Sequence, residues 1–156
     1  MEQNQPPQSS IISVLLIFLL IGSLAGASVY LVSTSQAKAR DSKRLVDIAR
    51  LQTALEYYKL EHSAYPLQPT ALPLGLPQTA RLCDAKAGGF VDATTQCQTE
   101  YTKLGVPLDP SGDSYLYLSD GKGYTLAFIT EQATELGVAG SYFAHSTGID
   151  RNGGVK

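Results

Sequence analysis

The sequence predicts an α+β fold, with one long N-terminal α-helix, a membrane half followed by a soluble half, packed on a small antiparallel β-sheet. Three observations predict it. Residues 11–32 carry no charge. From there to His62 the chain is rich in helix formers and contains neither proline nor glycine. Farther on, two stretches of alternating residues flank an Asp120-Gly121 pair, a β-hairpin signal. These boundaries divide the chain into a polar tail (1–10), the apolar half-helix (11–32), the soluble half-helix (33–64), a loop region (65–113) and a sheet with its C-terminal tail (114–156).

The bulk composition suits one modest domain: 156 residues, 44% hydrophobic and 17% charged, with net charge −2. That near-neutral balance gives no support for nucleic-acid binding. Half of the basic residues (Lys38, Arg40, Lys43, Arg44, Arg50 and Lys59) fall in one short segment, as in stripes that meet lipid headgroups or balance nearby carboxylates.

"IISVLLIFLLIGSLAGASVYLV" is about 22 residues long, and roughly 20 suffice to cross a hydrocarbon core as a helix. A secretory signal has a shorter apolar region, about 7–15 residues, behind a positive segment. Here only Glu2 precedes the run, with no Lys or Arg. Ser35-Gln36-Ala37 is the small-residue site that a signal reading would use; the reading adopted is a retained single-span anchor in the cell membrane, with the lipid bilayer as partner. Gly22 and Gly26 form a G-x-x-x-G pair, which lets a second helix approach closely and points to oligomerisation through this segment. The alternative is that both glycines are ordinary residues of such a helix. All flanking Lys and Arg lie on the C-terminal side, which by itself places the C-terminal domain in the cytoplasm. The cysteines argue for the opposite side.

Past residue 36 an apolar stripe at three- and four-residue spacing (Leu45, Ile48, Leu51, Leu55, Tyr58) marks the helix face that packs on the sheet. Arg44, Asp47, Arg50, Glu56 and Lys59 are assigned to the other faces. Pro66 disfavours helix at Tyr65, so the helix ends near residues 63–64. Pro66, Pro69, Pro73 and Pro77 then punctuate a segment expected to lack regular structure. Cys83 and Cys97 are the only cysteines. In an oxidising compartment they form one disulfide; in a reducing one they are two buried thiols. "SYLYLS", "YTLAFIT" and "SYFAHS" are the strand candidates. A sheet built from them supplies the apolar surface that the helix stripe lacks.

The order of these parts resembles type IV pilins and type II secretion pseudopilins, the major pseudopilin type above all. The residues that carry the resemblance are "KARDSKRLVDIARLQTALEYYKLEHSAYP" and "VPLDPSGDSYLYLSDGKGYTLAF", with Gly22 near a glycine of the family's N-terminal helix. The resemblance implies a structural subunit or accessory of a secretion or pilus-type filament, partnered by secretion or pilus assembly proteins. It also implies a C-terminal domain outside the cytoplasm. The sequence departs from the family where processing occurs. "QPPQSSIISVLLIF" has no basic–glycine cleavage motif, and Ser13 stands about where the family carries a glutamate. An alternative therefore stands beside the filament subunit: a permanently anchored, non-assembling extracytoplasmic binding module.

No enzyme is indicated. His62 and His145 are the only histidines, and Ser146 beside His145 makes no triad by adjacency. No phosphate loop or dinucleotide fingerprint appears. Calcium is the one cofactor to weigh. Asp109, Asp113 and Asp120 are spaced loosely like a calcium loop, but Ser114 stands where a glycine is required. "STGIDRNGGVK" resembles the segment near the calcium site of major pseudopilins, while Asp and Asn in turns commonly serve backbone geometry instead.

Overall fold

The computed structural model describes residues 8–155, and their side chains except those of 8–11, 24–27 and 29–30. The chain forms two compact units, Met1–Ala37 and Lys38–Lys156. Helix α1 covers Gln8–His62. In the first unit many of its described apolar side chains, among them Ile12, Leu15, Phe18 and Leu19, are more than half exposed.

The membrane half of the predicted fold is corrected here. Among the described residues, no helix is long and apolar enough to cross a membrane. The transmembrane helix, the single-pass topology, the cell-membrane location and the bilayer as partner are therefore not supported. What the structure shows is a small α+β domain, a helix packed on an open sheet.

In the second unit, Ile48, Leu51, Ala54, Leu55 and Tyr58 are buried, and Leu45 packs partly against them. Two residues assigned to other faces are buried as well, Arg44 and Asp47. Spacing explains both: Arg44 lies one helical turn before Ile48, and Asp47 one turn before Leu51, so both extend the inward stripe. The helix ends at His62. Ser63 adopts φ 59° and donates its N–H to the Lys59 carbonyl at 2.7 Å, a left-handed cap.

The sheet has five strands: β1 (Gln68–Pro73), β4 (Leu116–Ser119), β5 (Tyr124–Thr130), β6 (Gly140–His145) and β7 (Gly148–Asp150). They lie in the order β1-β4-β5-β6-β7, and every neighbouring pair is antiparallel. A separate two-stranded ribbon joins β2 (Arg81–Leu82) to β3 (Phe90–Val91). β1 falls where no regular structure is expected, because prolines argue against a strand. It lies at the sheet edge, where a missing N–H breaks no ladder on the open side, and its register slips between Gln68 and Leu72.

Alternation along the strands puts tyrosines inside. Tyr117, Tyr124, Leu126, Phe128, Tyr142 and Ala144 face the helix stripe, while Leu116 and Ile129 are exposed. Buried tyrosines need partners for their hydroxyls. Tyr117 donates to the Pro66 carbonyl at 2.8 Å and Tyr142 to that of Val138 at 2.7 Å. Among the described residues the Tyr124 hydroxyl alone is buried without a hydrogen bond. Removing it relieves that desolvation and leaves the ring packing intact. Tyr124→Phe is expected to hold or raise stability by up to about 1 kcal/mol, read as an unchanged or higher urea midpoint. A midpoint lowered by more than that would show that the hydroxyl has a partner.

Candidate functional site

The first charged turns of the second unit build a buried cluster of paired charges. Arg44 is 3% exposed and sits among carboxylates from three chain segments. Its Nε and Nη2 donate to the two oxygens of Asp109 at 2.7 and 2.9 Å, a bidentate fork. Its Nη1 donates to Asp41 and to Glu131, each at 2.7 Å. Asp41 in turn accepts the N–H groups of Glu131 and Gln132, the latter at 2.8 Å, so it caps the turn that follows β5. Arg40 pairs with Glu131 from the outer side. One helix turn thereby holds the 107–113 loop and the 130–132 turn against α1.

The electrostatics follow from this geometry. Burial alone would push the Asp109 carboxyl up; hydrogen bonds from Arg44 and Ser111 outweigh it and hold the group at about 2. The Arg40 hydrogen bond, opposed by burial and reinforced by Arg44, holds Glu131 at about 2. The Arg44 guanidinium is raised, chiefly by its hydrogen bonds to Asp109. Sequence reasoning missed this cluster. The available signal was Arg44 standing in register with Ile48 and Leu55: a cation on an inward stripe requires a buried anion.

Cys83 and Cys97 are joined as a disulfide, with Cα atoms 5.5 Å apart. Beside it, Asp84 accepts the N–H of Lys86, Gln98 and Thr99 at 3.0, 2.8 and 3.2 Å. Backbone bonds led by Thr99 hold its carboxyl below the ordinary range. Gly22 is exposed, and a Cβ built on it would meet nothing within 4 Å. Gly26, its expected partner in helix packing, lies within α1, among the residues of which only the backbone is described.

A groove of about 740 Å³ runs between the outer face of α1 and residues 99–107, with Val46, Tyr57 and Leu104 on its walls. Tyr101 and Glu61 also line it, and the Tyr101 hydroxyl donates to Glu61 at 2.6 Å and lies 3.0 Å from Nε2 of His62. His145 is buried while Ser146 is exposed, so the two form no nucleophile–base pair.

The calcium candidates do not fit a metal. Both oxygens of Asp109 are committed to Arg44. Asp113 accepts the Ser111 hydroxyl at 3.2 Å, and one Asp120 oxygen accepts the N–H groups of Lys122 and Gly123, each at 2.8 Å. Among the described residues, no three His, Cys, Asp or Glu side chains converge as a ligand set.

An amphipathic helix pinned by an A-R-D-x-K-R segment to a proline-flanked aspartate, over a tyrosine-lined sheet, is a combination that can be compared with known proteins. The family model for type II secretion system (T2SS), protein G, matches residues 31–138, more than half of the chain. This chain belongs to that family. Among curated relatives, the type II secretion system core protein G of Vibrio cholerae serotype O1 is 28% identical over 143 residues, covering 90% of this chain and 86% of the relative. The Aeromonas hydrophila protein of the same name is 26% identical over 128 residues, covering 78% and 79%. No solved structure matches significantly. The resemblance to type II secretion pseudopilins is thereby shown. This is a structural family of a non-catalytic class, and the chain is a protein G-type domain consistent with a secretion-system subunit.

Proposed function

We propose that this protein is a structural subunit or accessory of a type II secretion or type IV pilus-type filament, and that it associates with its own kind or with other assembly proteins through the N-terminal part of α1. The observation that carries this reading is the exposure of Ile12, Leu15, Phe18, Leu19 and Ile21, each more than half accessible. A contiguous apolar surface of this kind marks a contact site. Gly22 supports it: its Cβ position is open, so the close approach it permits is available to another helix. Family membership implies that the partners include other components of the secretion apparatus.

Crosslinking of the purified full chain in mild detergent tests the reading. Wild type is expected to give dimers and higher species. Phe18→Glu abolishes them, and Gly22→Leu weakens association by roughly 1–2 kcal/mol, about tenfold in Kd. A wild-type chain that stays monomeric, or crosslinking indifferent to both changes, overturns association through this segment and favours the non-assembling binding module. That second reading is supported by Ser13 standing where the family has its glutamate.

A further inference from the structure

We propose that the C-terminal turn of this protein, residues 146–154, is closed by a side-chain clamp centred on His145 and holds its shape without a divalent cation. The family model ends at residue 138, before this turn. The segment's resemblance to one near a calcium site in major pseudopilins makes a cation the alternative that the residues present decide.

His145 is 1% exposed and ends β6. Its Nδ1 lies 3.1 Å from the Tyr124 carbonyl oxygen and 3.4 Å from the Thr125 hydroxyl, both on β5. Its Nε2 lies 3.2 Å from the Asn152 carbonyl oxygen and 3.4 Å from a carboxylate oxygen of Asp150. The ring thus spans from the sheet to residues beyond β7. Gln52 of α1 donates to the His145 carbonyl at 2.8 Å and ties its backbone to the helix.

Other groups complete the closure. The Thr125 hydroxyl donates to the Gly154 carbonyl at 3.0 Å. The same Asp150 oxygen accepts the Asn152 N–H at 2.7 Å. Arg151 lies over the Tyr142 ring, 4.9 Å from its centroid, and donates to the Val138 and Ala139 carbonyls at 3.3 and 3.2 Å. Gly153 packs so closely on Phe143 that an added Cβ would come within 3.1 Å of the ring.

Calcium sites need six to eight oxygens whose lone pairs converge on one open centre. In this turn one carboxylate oxygen of Asp150 and the carbonyl oxygen of Asn152 face the imidazole, and the Gly154 carbonyl faces the Thr125 hydroxyl. The imidazole stands between the Asn152 carbonyl and β5. His145 is therefore a positioning residue for the turn, and the aspartate is an acceptor within it rather than a ligand.

The test combines thermal melting with limited proteolysis of the turn, on the full chain, with EDTA and with millimolar calcium chloride. Wild type is expected to melt at the same temperature in both and to keep the turn protected. His145→Ala is expected to open the turn to protease, with calcium giving no rescue. Should that variant fail to fold, Thr125→Val removes only the Gly154 bond, and partial loss of protection is expected. Asp150→Asn keeps the acceptor and is expected to leave protection unchanged. A calcium-dependent rise of several degrees in the wild type, or protection lost in EDTA, overturns the proposal. So does a turn that stays protected in both His145→Ala and Thr125→Val. None of these outcomes depends on whether subunits associate.

Discussion

Replacing Arg44 with methionine is expected to destabilise the second unit by about 3–5 kcal/mol, the cost of leaving buried carboxylates without their cation. The reason is geometric. Asp41 and Asp109 are nearly inaccessible to water, and a methionine supplies volume but no donor. Arg44→Lys retains the charge and loses the fork that engages both Asp109 oxygens, so about half the effect is expected. The measurement is a urea midpoint at constant slope. A loss under about 1 kcal/mol for Arg44→Met would mean that the pairing is incidental to stability.

The same cluster sets the acid response. Asp109 and Glu131 are held at about 2 in the folded protein, below their ordinary values of 3.8 and 4.5. Depressed carboxyl groups bind more protons in the unfolded chain than in the folded one. Their contribution is fully present above about pH 4.5 and is lost as pH falls toward about 2. In Arg44→Met, Asp109 loses its cation, so unfolding by acid is expected to begin at a higher pH than in the wild type. Circular dichroism during acid titration reads the shift. Identical acid midpoints would separate the carboxylates from Arg44.

The second large effect is expected at the disulfide. Cys83→Ala with Cys97→Ala opens a loop whose ends are 14 residues apart. Closing a loop of that length is worth about 3 kcal/mol in the chain-entropy model. At about 2–4 °C per kcal/mol, the melting temperature should fall by roughly 6–12 °C. The loss should centre on residues 84–99, where Asp84 gathers backbone N–H groups from both sides of the bridge. The oxidised wild type should resist thiol labelling until reductant is added. An unchanged melting temperature in the double variant would show that those hydrogen bonds hold the segment without the bridge.

Much of this molecule is legible from local pattern. The stripe Ile48, Leu51, Leu55 and Tyr58 follows from a period of 3.6 residues, and all four are buried. The β4–β5 hairpin follows from alternation around Asp120-Gly121, where one Asp120 oxygen accepts the Lys122 and Gly123 N–H groups. The family is legible too, because its signature residues cluster in two contiguous stretches. Each of these signals lies within a window of a few turns or one hairpin, where composition and spacing control the outcome.

The remainder depends on pairings far apart in the chain. β1 is a strand only because β4 offers it an edge, against the advice of its prolines. Arg44 reads as one more surface cation until Asp109, 65 residues away, and Glu131, 87 away, arrive beside it. Hydrophobicity along the apolar run likewise suggests a membrane span that no helix of the described residues is long and apolar enough to make. Periodicity records which way a side chain points from its own backbone. What stands at the other end of that direction is a property of the packed molecule, because burial and charge compensation are settled between segments and not within them.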